Sequence, residues 1–223
     1  ALAFAAEGSN LVLASRDNLE YLEQTTRDVQ ALGVQVSKSQ CDLSNESEVE
    51  DMVGQCVVQF GSLDVVINNV LFSMPPQSLE EIPFELWKRK FDVETTGSFL
   101  LFKQVIPQMI QQRWGRVVNF TGMDAFNGAD VMSSATEMGL VGLTRGIARE
   151  YGKYNITANC IGPGGIENEE AEGLHQVSPS QRDAIPRRGT PEEVAFLAVT
   201  LCSEGASYIT GQTLLANGGK HFL

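Results

Sequence analysis

The sequence predicts an α/β fold, a parallel sheet with helices packed on both faces, three layers in a single domain. Three observations predict it. Short β-branched runs alternate with amphipathic stretches, which is the pattern of strands and crossover helices. A length of 223 residues with 43% hydrophobic content suits one ordinary core. No Pro/Gly/Ser-rich linker divides the chain.

Taken in order, residues 1–7 (ALAFAAE) read as the tail of a helix closed by Gly8. A doubly wound sheet needs one more strand and a turn before that helix, about 20–25 residues at ordinary strand and loop lengths. The chain as given is therefore expected to lack its first strand and the turn after it. Strands are expected at residues 10–14 (NLVLA), 34–41, 63–68 (LDVVIN), 116–121 (RVVNFT), 156–162 and 213–216. The first helix after them, residues 17–32, stops at Gly33, as a glycine just past a helix end requires. Residues 83–112 and 132–151 read as two long amphipathic helices. Thr190-Pro191-Glu192-Glu193 is a capping box with Pro in the first helical position.

Composition excludes several functions. A formal charge of −12 repels a phosphate backbone, so nucleic acid is not an expected partner, and any nucleotide must be held by local donors. No apolar run approaches the roughly 20 residues that span a bilayer, so no membrane partner and a cytoplasmic location are expected. Cys41, Cys56, Cys160 and Cys202 are scattered, without CxxC or neighbouring His, so they read as core residues and no metal is expected.

Several segments in sequence order resemble the short-chain dehydrogenase/reductase family: ALAFAAEGSNLVLASRD, CDL at 41–43, LDVVINN at 63–69, GRVVNFTG, GLVGLTRGIAREYGKYNITANCIGPGGIEN, GTPEEVAFLAVTLCSEGASYITGQ and NGG at 217–219. The resemblance covers nearly the whole chain, residues 1–223. It implies a Rossmann-like domain whose glycine-rich turn would precede Ala1, and a substrate loop at about 165–190. It also implies a nicotinamide cofactor. Asp42 and Leu43 match the adenine side, and Asn68 the start of the family's NNAG, whose second half is here Val70-Leu71. Pro163 and Gly164 match beside the nicotinamide, and Asn168 stands where a Thr faces the cofactor. Ser15-Arg16 replaces the acidic residue expected for NAD, and an Arg there accommodates a 2′-phosphate, so NADP is expected over NAD. Family members assemble through the two long helices, so a homo-oligomer, dimer or tetramer, is implied, with a hetero-oligomer as the variant.

The family's chemistry resembles general acid catalysis by a Tyr that a Lys four residues on makes more acidic, completed by a Ser and an Asn. Here Ser133 falls at the Tyr, Glu137 at the Lys, Gly122 at the Ser and Glu94 at the Asn. No shift of register restores the pair, because residues 22–150 contain no Tyr and residues 104–152 no Lys. The segment between Gly122 and Ser133 is also about two residues shorter than the family norm. Glu137 reverses the charge that would lower a phenol pKa, and a serine hydroxyl is too weak an acid to replace the phenol alone.

Glu94, Asp124 and Glu137 are the candidates that remain for proton transfer, with Ser133 beside them, since clustered carboxyls raise one another's pKa. A branch of the family, the dienoyl-CoA reductases, also has Ser at the Tyr position; the residues it uses instead correspond to Glu94 and, roughly, Asp124. The competing reading has these acids solvated or paired with Arg116, Arg145 or Lys103. His175 lies in the substrate loop, and Phe72, Met74, Leu174 and Val177 would form an apolar mouth. An NADP-linked oxidoreductase acting on a carbonyl, enone or acyl substrate is the leading expectation. A non-catalytic subunit and a carboxylate-based isomerase or dehydratase are the alternatives.

Overall fold

A computed structural model of the chain describes residues 1–72, 74–75, 77–167 and 184–222. The helical tail is α1 (Leu2–Ala6), and Gly8 follows it at φ +83°, which favours glycine. Then come β1 (Leu11–Ser15), α2 (Leu19–Ala31), β2 (Val36–Gln40), α3 (Glu46–Phe60) and β3 (Val65–Asn68). A long helical run holds α4 (Phe84–Phe91) and α5 (Gly97–Gln112), and β4 (Gly115–Phe120) follows. The short α6 (Asp124–Asn127), the long α7 (Val131–Tyr151), β5 (Ile156–Pro163), α8 (Pro191–Cys202) and β6 (Thr213–Ala216) complete it. All six expected strands are present within two residues of the expected bounds, and Thr190 and Glu193 cap α8 reciprocally. Among the described residues, no helix is long and apolar enough to cross a membrane.

The strands are parallel, in two hydrogen-bonded pieces: β1-β2, and β3-β4-β5-β6. The expected single sheet is therefore interrupted, with β3 and β1 each ending a piece. Alternate residues of the larger piece face opposite layers, as the two-residue period of a strand demands. Val66, Val117 and Ala158 pack on α3, α5 and α7 through Met52, Val105, Met109 and Ile147, while Val118 and Ile161 pack on α8 through Val194, Ala198 and Leu201. The three-layer expectation holds.

The run expected at 83–112 is helical but not uniform. Residues Asp92–Thr96 form a π turn between α4 and α5, with Glu94 at its centre. Such turns carry an extra residue per turn and gather at functional sites. At its end Gly97 meets the backbone of the segment after β2, where a β-carbon would lie 2.9 Å from that of Leu43. Leu43 thus fixes where the helix crosses the strand ends.

Candidate active site

The ends of β3 and β4, the π turn, α6 and the first two turns of α7 meet on one side of the larger sheet piece. Asp130 caps α7 by accepting from the Ser133 N–H at 2.7 Å, and the Ser134 hydroxyl donates to the Asp124 carbonyl at 2.8 Å, tying α6 to α7. The Thr121 hydroxyl, just past β4, reaches the Glu137 carbonyl at 3.3 Å. These bonds hold Glu137 against the end of β4.

Glu137 is 6% exposed, and its Oε2 accepts the Ala125 N–H at 2.9 Å. Its other oxygen occupies the space over Gly122: a β-carbon there would lie 2.2 Å from Oε1. Gly122 and Glu137 are therefore one steric unit, since the carboxyl fits only because position 122 has no side chain. Burial pushes the Glu137 carboxyl up to about 7; Asp124 and Glu94 push the same way, while the Ala125 N–H and the Lys90 charge oppose it. Burial likewise raises the Asp124 carboxyl, helped by Asp130 and opposed by Lys90.

Glu94 has different surroundings. It is 2% exposed, and its Oε1 accepts from the Lys90 ammonium at 2.8 Å and from the Phe72 N–H at 2.7 Å. Its Oε2 accepts from the Thr136 hydroxyl at 2.5 Å. Glu94 and Glu137 are thus buried rather than solvated, and Glu94's partner is Lys90, one helical turn before it. The expected cations are engaged elsewhere: Arg116 donates to Ser207 and backbone carbonyls, Lys103 pairs with Glu46, and Arg145 is exposed on α7. Lys90 and Arg89 are the residues at the candidate site that sequence reasoning missed. The basic run Lys88-Arg89-Lys90 reads as a solvated helix face, yet the i,i+4 spacing of Lys90 and Glu94 was a signal in plain view.

The structure brings Glu94, Asp124 and Glu137 together, while Ser133 stands one turn before Glu137 with its N–H spent on the helix cap. The nucleotide-side residues gather at the ends of β1, β2 and β3. The Ser15 hydroxyl caps the turn before α2 by accepting from the Asn18 N–H. Arg16 and Arg89 flank Asp42, at 4.0 and 3.0 Å, in an open pocket also lined by Asp17, Gln40 and Glu48. Burial acts to raise the Asp42 carboxyl, but hydrogen bonds from Ser44 and Arg89, with the Arg89 charge, hold it at about 2. Asn68 is buried, its amide nitrogen bonded to Ser98 and Asn119, and its Oδ1 has no partner among the described residues. A β-carbon on Gly164 would lie 2.7 Å from the Asn217 Cα, so that backbone approach at the end of β5 needs a glycine. Of the expected mouth, Phe72 and Met74 are half-buried. Asn168, Leu174, His175 and Val177 lie outside the described residues, as does most of the expected substrate loop. Among the described residues no group of His, Cys, Asp or Glu is arranged to hold a metal.

Comparison with known proteins agrees with this architecture. Residues 1–221 match the family model described as enoyl-(acyl carrier protein) reductase. The chain is 32% identical over 226 residues to a 3-oxoacyl-(acyl carrier protein) reductase of Staphylococcus epidermidis, covering 99% of this chain and 92% of that one. It is 30% identical over 224 residues to dehydrogenase/reductase SDR family member 4 of Bos taurus, covering 97% of this chain and 80% of the relative. The crystal structure of an acetoin dehydrogenase from Salmonella typhimurium superposes with a TM-score of 0.87 at 30% identity, covering 98% of this chain and 89% of that one. With the parallel sheet, the three layers and these matches along nearly its whole length, the chain belongs to the short-chain dehydrogenase/reductase family of oxidoreductases.

Proposed function

We propose that the chain is an NADP(H)-linked oxidoreductase of carbonyl, enone or acyl substrates, in which the Glu137 carboxyl does the proton transfer that a phenol does elsewhere in the family. The observation that carries it is the Glu137 carboxyl lodged over Gly122 and pushed up to about 7. An acid that titrates near the working pH is present in both protonation states, which is what a reversible proton donor needs.

The residues present fit a nicotinamide nucleotide. The unpartnered Asn68 Oδ1, the glycine-dependent approach at Gly164 and the pocket beside Asp42 lie at the strand ends, where this fold class holds dinucleotides. Leu43, Pro163 and Asn168 complete the proposed nucleotide contacts. When bound, the nicotinamide supplies the hydride. In the reductive direction a substrate carbonyl carbon gains that hydride, its oxygen takes the proton from the Glu137 carboxyl, and water reprotonates Glu137. Asp124 keeps the neighbourhood acidic, and Ser133 stands in the first turn of α7 beside it. Phe99 on α5 and Met138 on α7 are 52% and 43% exposed, which supports self-association through these helices.

Arg16 and Arg89 are proposed to receive the 2′-phosphate, which would take over donors now bonded to Asp17, Asp42 and Ser44. Arg16→Ala is expected to weaken NADPH binding about tenfold and leave NADH within about twofold, read by nucleotide fluorescence. Equal losses for both nucleotides would remove the NADP assignment. The function itself is tested by NADPH oxidation with a panel of 3-oxoacyl thioesters, ketones and enones. Turnover of at least one class is expected; conversion that proceeds without any nicotinamide would mark an isomerase or dehydratase instead.

A further inference from the structure

Lys90 carries a charge into a place where lysine seldom sits. It is 1% exposed, on the buried side of α4, and its ammonium donates to Glu94 Oε1 at 2.8 Å and to the Phe72 carbonyl at 3.0 Å. The Phe72 N–H returns to that same Glu94 oxygen. Both backbone groups of Phe72, in the segment after β3, are therefore clamped by one ion pair. The pair also extends to α7, because the second Glu94 oxygen holds the Thr136 hydroxyl, whose residue directly precedes Glu137. A buried ion pair is weak evidence for stability, since desolvating both ions offsets much of their attraction. A pair that ties the segment after β3 to α7 through polar atoms does something an apolar pair would not.

The charged and titratable groups around Glu137 and its neighbour Asp124 come from four elements. Glu94 and Lys90 stand on the π turn and α4, Asp124 on α6, and Asp130 at the head of α7. Three of those four are acids, and Lys90 is the base among them.

We propose that Lys90 is the positioning residue of this site: through Glu94 it fixes the Phe72 segment against the start of α7, on the residue next to Glu137. The cation is thus delivered from α4, where the resemblance alone would place it on α7. This deepens the reading of Glu137 as the proton donor and rests on it. Nevertheless Lys90 can be tested without turnover.

The experiment is a titration of the Glu137 carboxyl by NMR on the full chain labelled with ¹³C at the glutamate carboxyls, the signal being assigned by its loss in Glu137→Gln. Lys90→Met is expected to raise the Glu137 midpoint by about one pH unit and Glu94→Gln to lower it, on the scale of a charge several ångströms away in a protein interior. Because Lys90→Met strands a buried carboxylate and can unfold the chain, the paired variant Lys90→Met/Glu94→Gln keeps the core neutral; its midpoint should fall between those of the single variants. Amide exchange at Phe72 should quicken in every variant that removes Lys90. A purely structural role would leave the Glu137 midpoint where it is. Unchanged Phe72 exchange in the paired variant would overturn the proposal, as would single variants that leave the midpoint unmoved or shift it in the same direction. Failure of the substrate panel with these titrations intact would count against the oxidoreductase reading and not against Lys90.

Discussion

Gly122→Ala is expected to destabilise the protein by about 1–3 kcal/mol, although glycine-to-alanine changes outside the left-handed region are usually neutral or helpful. Position 122 is not among the residues with positive φ, so alanine meets no backbone strain there. The cost comes from one side chain, the Glu137 carboxyl, whose three atoms would all lie within 2.7 Å of the new β-carbon. To clear it, the carboxyl must swing away and give up the Ala125 N–H, leaving a buried polar group without its partner. Shortening Glu137 to alanine removes the obstacle, so in a Glu137→Ala background the same change should cost nothing or stabilise slightly. Denaturant unfolding of the two single variants and the double variant measures the coupling, expected at about 1 kcal/mol or more. Additive effects would mean that the carboxyl does not occupy this space. The same contact explains why putting back the family's serine alone should fail, because its side chain has no room until Glu137 is shortened.

Glu137→Gln should stabilise the protein, and more so at high pH. The carboxyl stands at about 7 in the folded chain against an ordinary 4.5. Between those values the folded state holds a proton that the unfolded chain has released, so stability falls as pH rises from about 4.5 to about 7 and then levels off. Glutamine has no such proton. The advantage of the variant should therefore grow by about 2–3 kcal/mol between pH 5 and pH 8, from the 1.36 kcal/mol that each pKa unit carries. Asp124, also raised, gives a slope of the same sign in both proteins and cancels in the difference. An advantage independent of pH would show that Glu137 titrates at its ordinary value.

The fold was legible because each element carries its own local signal. Strands are marked by β-branched residues such as Val65, Val66, Ile67, Ile156 and Thr157, Gly33 and Gly61 close their helices at positive φ, and Thr190 to Glu193 is a complete capping box. What was not legible depends on partners distant in sequence. The π turn at Asp92–Thr96 contains no proline or glycine to announce it.

At the candidate site, the sequence singled out Gly122, Glu94 and Glu137 by their positions and expected clustered carboxyls, but not which of the two acids is ion-paired. That burial pushes the Glu137 carboxyl up to about 7, while Glu94 is the ion-pair partner of Lys90, follows from packing that the sequence does not display. Arg89 was hidden in the same way, within a basic run whose three members face three different directions: Lys88 to Asp92, Arg89 to Asp42 and Lys90 into the core. The glycine at 122 was legible as a loss; only the packing shows it as the space the carboxyl needs.

The most direct measurement is the pH dependence of kcat/KM for NADPH oxidation, with whichever carbonyl or enone substrate the panel identifies, in the natural protein and in Glu137→Gln. If the Glu137 carboxyl donates the proton, the rate falls tenfold per unit above about pH 7, and Glu137→Gln lowers it about 100-fold at neutral pH while abolishing that descending limb. A Glu137→Gln protein that keeps both the rate and the limb would contradict the assignment.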